Sequence, residues 1–453
     1  MDPVTPPPAA PWTAPWADAP VHGTVSVPGS KSVTNRALVL AALSGDAGAG
    51  DAGAGDGTTR TVRGAARSRD TTLMVEGLAA LGAGMRVSPG RTGTVDVEVT
   101  APSRLHGGHV DCGLAGTVMR FLPPAAALAD GAVTFDGDEH ARSRPMGGVL
   151  DGLRGLGVAV DGDRLPFTVA GGMPAGGEVT IDASASSQFV SGLLLSGARY
   201  AHGVTVVHGG AGPVPSLPHV AMTVAMLRAA GVPVEEREGR WGVAPGPIAA
   251  PAVLDVEPDL SGAAVYLAAA LVTGGSVTVA GWPDTRLQPG DAVRAALEAF
   301  GATTELDARG LTVHGPARLH GVDVDLGEIG ELTPTVVAVA VAAARTGATS
   351  RLRGVAHIRG HETDRLAALA TELASVGARV EELPDGLVVS PAMLHAPARP
   401  WHSYADHRMA TAGALVGLVL PGLAIDDVAT TAKTLPDFAE HWSALVGAAG
   451  IPA

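Results

Sequence analysis

Only two lysines stand among 29 arginines, Lys31 and Lys433, and both fall in polar clusters where a helix is about to start. PGSKSVTNRALVLAAL brings Ser30, Lys31, Ser32 and Arg36 to a strand-to-helix turn, and TAKTLPDF sets Lys433 before a helix beginning near Pro436. A compact ammonium on a flexible stem does what a planar guanidinium cannot, so keeping Lys at just these positions points to a need for a mobile point charge. Five more clusters have the same form. CGLAGTVMRF carries Gly116, Thr117 and Arg120, and SASSQFVSGLLL carries Ser186, Ser187 and Gln188. GELTPTVV places Glu331 upstream of Thr333 as N-cap and Pro334 at the first helical position. RGHETDRL brings His361, Glu362 and Arg365 together, and YADHRMA puts Asp406 at a cap ahead of His407 and Arg408. A helix start presents unpaired N–H groups and partial positive charge. Ser, Thr and Gly let an anion approach that backbone, and Arg grips phosphate or carboxylate with two bonds. Convergence of several such starts would make a cavity for polyanionic substrates.

Glu331, His361 and Glu362 are the candidates for general acid and base work, worth roughly 10²–10⁴-fold each where they act. Any one cluster alone reads as an ordinary cap or a surface charge; their number and the placing of both lysines favour chemistry. GSKS is not a nucleotide P-loop, because Ser30 separates Gly29 from Lys31 and the Gly23–Gly29 spacing is wrong. Cys112 is a packing residue on a Gly-rich turn.

The elements that must position these residues recur. A helical stretch ends in an apolar residue and Gly six times, at Gly82, Gly157, Gly231, Gly301, Gly377 and Gly447, spaced by 75, 74, 70, 76 and 70 residues. Gly there supplies a left-handed C-cap. Alternating strands such as VTVVHG, SVTVAG and VDVEVT fill the intervals. Six α/β units follow, most simply three in each of two domains, although periodicity alone leaves a six-unit solenoid open. Residues 1–20, with seven prolines, are expected to be a disordered Pro/Ala-rich tail, and the duplicated DAGAG run of Asp46–Gly57 a flexible insertion.

Composition excludes several classes. A net charge of −14 argues against non-specific nucleic-acid binding, and makes any anionic substrate depend on a local positive pocket. Aromatics are only 3% of the chain, so the core must be aliphatic and Ala-rich. One cysteine precludes an intrachain disulfide and fits a reducing compartment. The longest apolar runs, Val336–Ala344 and Ala412–Leu420, are too short to span a bilayer. A cytoplasmic protein is expected, with no nucleic-acid or membrane partner.

In order, PGSKSVTNRAL, GLAGTVMRF, SRP, SSQF, HETDRL, ADHRMA and TAKTLPDF resemble the motifs of the 5-enolpyruvylshikimate-3-phosphate synthase family, from about Val21 to Phe438. The resemblance implies a two-domain enolpyruvyl transferase fold of class α/β, an inside-out α/β barrel, with three βαβαββ units per domain and the active site in the interdomain cleft. The domains would be 30–257 on the shikimate 3-phosphate side and 21–29 plus 258–453. It implies transfer of the enolpyruvyl group of phosphoenolpyruvate to the 5-hydroxyl of shikimate 3-phosphate, through a tetrahedral intermediate, on the route to chorismate and aromatic amino acids. No metal or organic cofactor is implied, and a monomer is expected.

Matched by motif, the shikimate 3-phosphate residues would be Lys31, Ser32, Arg36, Ser186, Ser187, Gln188, Ser216, Glu331, His357 and His361. The phosphoenolpyruvate residues would be Lys31, Gly116, Thr117, Arg144, Gln188, Arg365, Arg408 and Lys433. Glu331, His361, Glu362 and Lys31 would be catalytic. The chain departs from the usual family pattern at Leu114, His219, Glu331, His357, His361 and Ala405, where Asn, Tyr, Asp, Asn, Lys and Asn are more common. The alternative is a paralogous transferase acting on UDP-N-acetylglucosamine or another cyclic hydroxy acid. The UDP-sugar enzyme would be expected to carry a reactive Cys on a mobile loop, and Cys112 is out of place for it.

Overall fold

A computed structural model describes residues 10–45, 57–91, 93–284 and 287–447. The Asp46–Gly57 insertion lies outside them except for Gly57, as do residues 1–9 of the tail. The chain divides into two compact units: 28–259 with 283–289, and 1–27 with 260–282 and 290–453.

The first unit contains three four-stranded sheets built to one plan. In one of them, strand Gly108–Asp111 runs parallel to Val133–Asp136, which pairs antiparallel with Phe167–Val169, and Val160–Asp161 closes the edge. Helices Gly116–Ala126 and Gly147–Gly155 make the connections, giving the order βαβαββ. Gly177–Ile181 opens a second copy. The remaining copy takes its first strand, Val253–Asp255, from the far end of the unit and pairs it parallel with Thr59–Ala66.

The second unit repeats the plan twice, with His22–Val25 beside Ser276–Ala280 and Asp323–Asp325 beside Ser350–Arg353. Its third copy is reduced: Trp401 bridges in parallel to Ile425, and Ala424–Ile425 pairs antiparallel with Trp12–Thr13. This corrects the expectation of a disordered tail for residues 10–20. After Ala424–Ile425 the described chain reaches helix Phe438–Gly447 and no hairpin, so the N-terminal segment supplies the antiparallel neighbour that a hairpin supplies elsewhere. Ala14 is buried, its N–H donates to Leu423 O, and the Trp12 ring meets Phe438 edge-on.

The helices of each repeat differ in kind. Lys31–Ala42, Gly116–Ala126 and Gln188–Gly197 pack pairwise at the centre of the first unit, buried along nearly their whole lengths. Leu260–Thr273, Thr333–Ala344 and His407–Gly417 do the same in the second. Small and aliphatic side chains let these helices be surrounded, and the alternating strands show one face to them and one to solvent. The apolar stretch Gly327–Ala344 is 18 residues long, but it is 83% buried and kinked at Ile329 (φ −126°, ψ 35°). Five repeat glycines, Gly82, Gly157, Gly231, Gly301 and Gly377, have φ between 76° and 105°, the left-handed cap their spacing predicts. Gly447 is instead helical and is the last described residue.

Candidate active site

A helix buried on every side has polar freedom only at its ends, and five of the seven polar clusters stand at the starts of central helices; RGHETDRL and TAKTLPDF precede helices Arg365–Ser375 and Phe438–Gly447. In the first unit, Ser30 caps Lys31–Ala42 by accepting from Val33 N at 3.4 Å. Lys31 Nζ lies 3.1 Å from Oδ2 of Asp70, a buried carboxylate in the first turn of the next helix. Arg36, one turn further in, is 1% exposed. It donates to Thr223 Oγ1 (2.7 Å), Ser32 O (2.9 Å), His219 O (3.1 Å) and Ser191 Oγ (3.3 Å), and its guanidinium lies 5.0 Å from the Phe121 ring centre. Burial pulls its pKa down to about 9. Such a cation is costly to bury, which marks a positive potential built for something other than stability.

Gly116 begins the second central helix, and no side chain caps it. A Cβ at Gly116 would sit 3.2 Å from Arg144 Nη2, 3.2 Å from Gln188 Oε1 and 3.3 Å from Arg120 Nη1. Two guanidiniums and an amide therefore converge on bare backbone at a helix N-terminus, the arrangement that holds a phosphate or carboxylate. Arg144 donates to Leu114 O, and Arg120 to Pro145 O at 2.7 Å. Thr117 is buried, and its hydroxyl accepts from Asn35 Nδ2 at 2.5 Å, tying the first central helix to the second. Ser186 Oγ accepts from Gln188 N, and Ser187 is the N-cap residue of Gln188–Gly197. Ser216 caps its helix in a left-handed conformation (φ 49°, ψ 47°), rare for a residue with a Cβ.

In the second unit the predicted residues form one connected cluster. Arg365, 2% exposed, donates to Asp406 at 2.7 and 3.1 Å and to Glu362 Oε2 at 3.0 Å. Its Nη1 lies 2.9 Å from His361 Nδ1; a guanidinium only donates, so that nitrogen accepts and the ring proton sits on Nε2. Burial opposes the charge of Arg365, but Asp406, Glu362 and Glu331 outweigh it and its pKa is raised. Glu362 Oε1 accepts from Lys433 Nζ at 2.5 Å. Asp406 also takes Arg408 N at 2.8 Å as helix cap, and the Arg408 guanidinium donates to Ser261 O and Oγ. The His357 ring lies 5.9 Å from that of His361, and its Nε2 packs against Gly330. Burial lowers the His357 pKa, with Glu331 acting the other way.

Three local expectations change. Leu332, not Thr333, is the N-cap residue; Thr333 is the first helical residue and donates its hydroxyl to Gly330 O. The helix after Lys433 begins at Phe438. Arg120 belongs with Gly116 and Arg144, though the motif comparison assigns it no contact; its i, i+4 spacing from Gly116 at a helix start was the available sign. Asp70 could not be read as the partner of Lys31, since 38 intervening residues separate them. Cys112 is buried, and burial pushes its thiol up to about 12, which suits packing and not nucleophilic attack.

The family profile described as EPSP synthase (3-phosphoshikimate 1-carboxyvinyltransferase) matches residues 16–442. A 3-phosphoshikimate 1-carboxyvinyltransferase of Mycobacterium ulcerans (strain Agy99) is 53% identical over 443 residues, covering 96% of this chain and 98% of that protein. Among solved structures, an EPSP synthase from Acinetobacter baumannii superposes with a TM-score of 0.73 at 22% identity, over 97% of this chain and 98% of the other. The enolpyruvyl transferase NikO from Streptomyces tendae gives 0.68 at 18% identity, over 97% and 98%. Fold, motif order and sequence likeness agree, and the chain belongs to the EPSP synthase family.

Proposed function

We propose that this chain transfers the enolpyruvyl group of phosphoenolpyruvate to the 5-hydroxyl of shikimate 3-phosphate, releasing phosphate, a step in aromatic amino-acid biosynthesis. The observation that carries this reading is Glu362 held between Lys433 and Arg365, a carboxylate and two cations in one buried cluster. That set can bind an anion and move a proton at the same place.

In the addition, the 5-hydroxyl oxygen bonds to C2 of phosphoenolpyruvate while C3 takes a proton and becomes methyl. Glu331 accepts the hydroxyl proton, and Glu362 with Lys433 serves C3. In the elimination C3 returns a proton, the C2–O bond to phosphorus-bearing oxygen breaks, and phosphate leaves. Arg365, Arg408, Lys433 and the Gly116–Arg144–Gln188 group bind phosphoenolpyruvate, with Thr117 supporting the helix start. Lys31, Ser32, Arg36, Ser186, Ser187, Gln188, Ser216, His357 and His361 bind shikimate 3-phosphate. Fixed cations at the developing charges stabilise the transition state without reorganising.

Phosphate release from phosphoenolpyruvate is the test, measured alone, with shikimate 3-phosphate, and with UDP-N-acetylglucosamine. Turnover dependent on shikimate 3-phosphate is expected; dependence on the UDP-sugar overturns the reading.

A further inference from the structure

Glu372 lies two turns beyond Arg365 on helix Arg365–Ser375, and its side chain is 0% exposed. Four donors meet it. Arg399 Nη1 and Nη2 lie at 2.7 and 2.9 Å, His402 N at 3.1 Å and the Tyr404 hydroxyl at 2.7 Å. All four come from the segment 399–404, which leads into the cap of helix His407–Gly417. Directly after this clamp, Tyr404 and Ala405 both take left-handed backbone, at φ 54° and 52°. Single non-glycine residues visit that region seldom, and two in succession need outside support. Asp406 follows at once. It is buried, takes Arg365 with both oxygens and caps Arg408. A bidentate carboxylate–guanidinium pair tolerates little misplacement. Asp426 ties the same segment from its other side, through His402 Nδ1 and Ser403 N.

We propose that Glu372 is a positioning residue for the anion-binding arginines: it holds the left-handed Tyr404–Ala405 turn in the register that brings Asp406 to Arg365 and to the start of the Arg408 helix. The clamp acts on phosphoenolpyruvate affinity, because both arginines it orders are assigned to that substrate under the proposed function, on which this inference rests. Glu372 touches no substrate. Its bond to Tyr404 needs the phenol, and burial together with Glu372 pushes that phenol up to about 12, so the donor persists through neutral pH.

The test compares Glu372→Gln, Tyr404→Phe and each combined with Ala405→Gly, with the wild type alongside. Glu372→Gln is expected to raise KM for phosphoenolpyruvate about tenfold, while KM for shikimate 3-phosphate stays within about twofold. Tyr404→Phe keeps the Arg399 pair and should show a smaller rise in the same constant. Adding Ala405→Gly removes the cost of the left-handed turn and should return most of the loss in both backgrounds. Parallel rises in both KM values, no recovery from Ala405→Gly, or unchanged constants in both single variants would overturn the inference. A wild type that fails to turn over the two substrates would instead remove the functional reading.

Discussion

Glu362 joins Lys433 to Arg365, accepting from the ammonium on one carboxylate oxygen and from the guanidinium on the other. The carboxylate is nearly buried, and so are both cations. The cluster holds two positive charges against one here and a second carboxylate, Asp406, behind Arg365. Glu362→Gln keeps the shape and removes the negative charge next to Lys433. If Glu362 moves the C3 proton, kcat falls by about 10²–10⁴-fold. KM for phosphoenolpyruvate should not rise, since both cations keep their charge and lose an internal competitor. Steady-state kinetics separate the two constants; a higher KM with kcat retained would mean that Glu362 only places the cations.

Lys31 and Lys433 are each paired to a buried carboxylate, Asp70 and Glu362. Both side chains are mostly buried, which leaves little room for a broader planar head. Lys31→Arg and Lys433→Arg should each keep the charge and still lose about tenfold or more in kcat/KM. Melting midpoints are expected to move by only a few degrees. Full activity in either variant would show that the scarcity of lysine is compositional.

Much of this site was legible because helix starts announce themselves. Ser30 at its strand-to-helix turn and Asp406 at its cap each accept a helix N–H as their residue types predict, whereas Thr333 does not cap its helix. The repeat glycines were legible too, since φ above zero has few other tenants. The pairings across the fold were not. Nothing local says that Lys31 meets Asp70, or that Thr117 faces Asn35 across 82 positions of sequence. Residues 10–20 depart from the expected disorder for a related reason. Pro and Ala content predicts disorder only when no edge strand needs a partner, and Ala424–Ile425 needs one.

His357 gives a pH dependence with a definite sign. Burial lowers its pKa below 6.5 in the folded protein, and Nε2 has no hydrogen-bond partner among the described residues to welcome a proton. Below about pH 6.5 the unfolded chain then binds more protons than the native one. Stability is therefore fully present above pH 6.5 and is lost as pH falls toward the folded value, by at most about 1.4 kcal/mol per pH unit. His357→Asn removes this contribution. The melting temperature of the wild type, taken relative to His357→Asn, should drop between pH 7.5 and pH 5. Parallel curves would show that the ring protonates freely in the native state.

Gly116 is the point where a minimal change tests the anion site. Its backbone conformation is helical, so a methyl group adds no dihedral strain. The added Cβ would instead stand within 3.2–3.3 Å of Arg144 Nη2, Gln188 Oε1 and Arg120 Nη1. Each contact is tighter than ordinary packing, and three polar side chains would have to give by a few tenths of an ångström together. They are the groups that converge on the helix N-terminus, so the strain falls on anion geometry and not on the core. Gly116→Ala should raise KM for phosphoenolpyruvate about tenfold or more, because a displaced guanidinium loses one of its paired bonds. KM for shikimate 3-phosphate should change less, since of the three displaced groups only Gln188 is also assigned to that substrate. Arg36, Ser186 and Ser216 are not among the three groups nearest the added methyl. Titration of each substrate at saturation of the other reads the two constants directly, and an equal effect on both would relocate the phosphoenolpyruvate site away from Gly116.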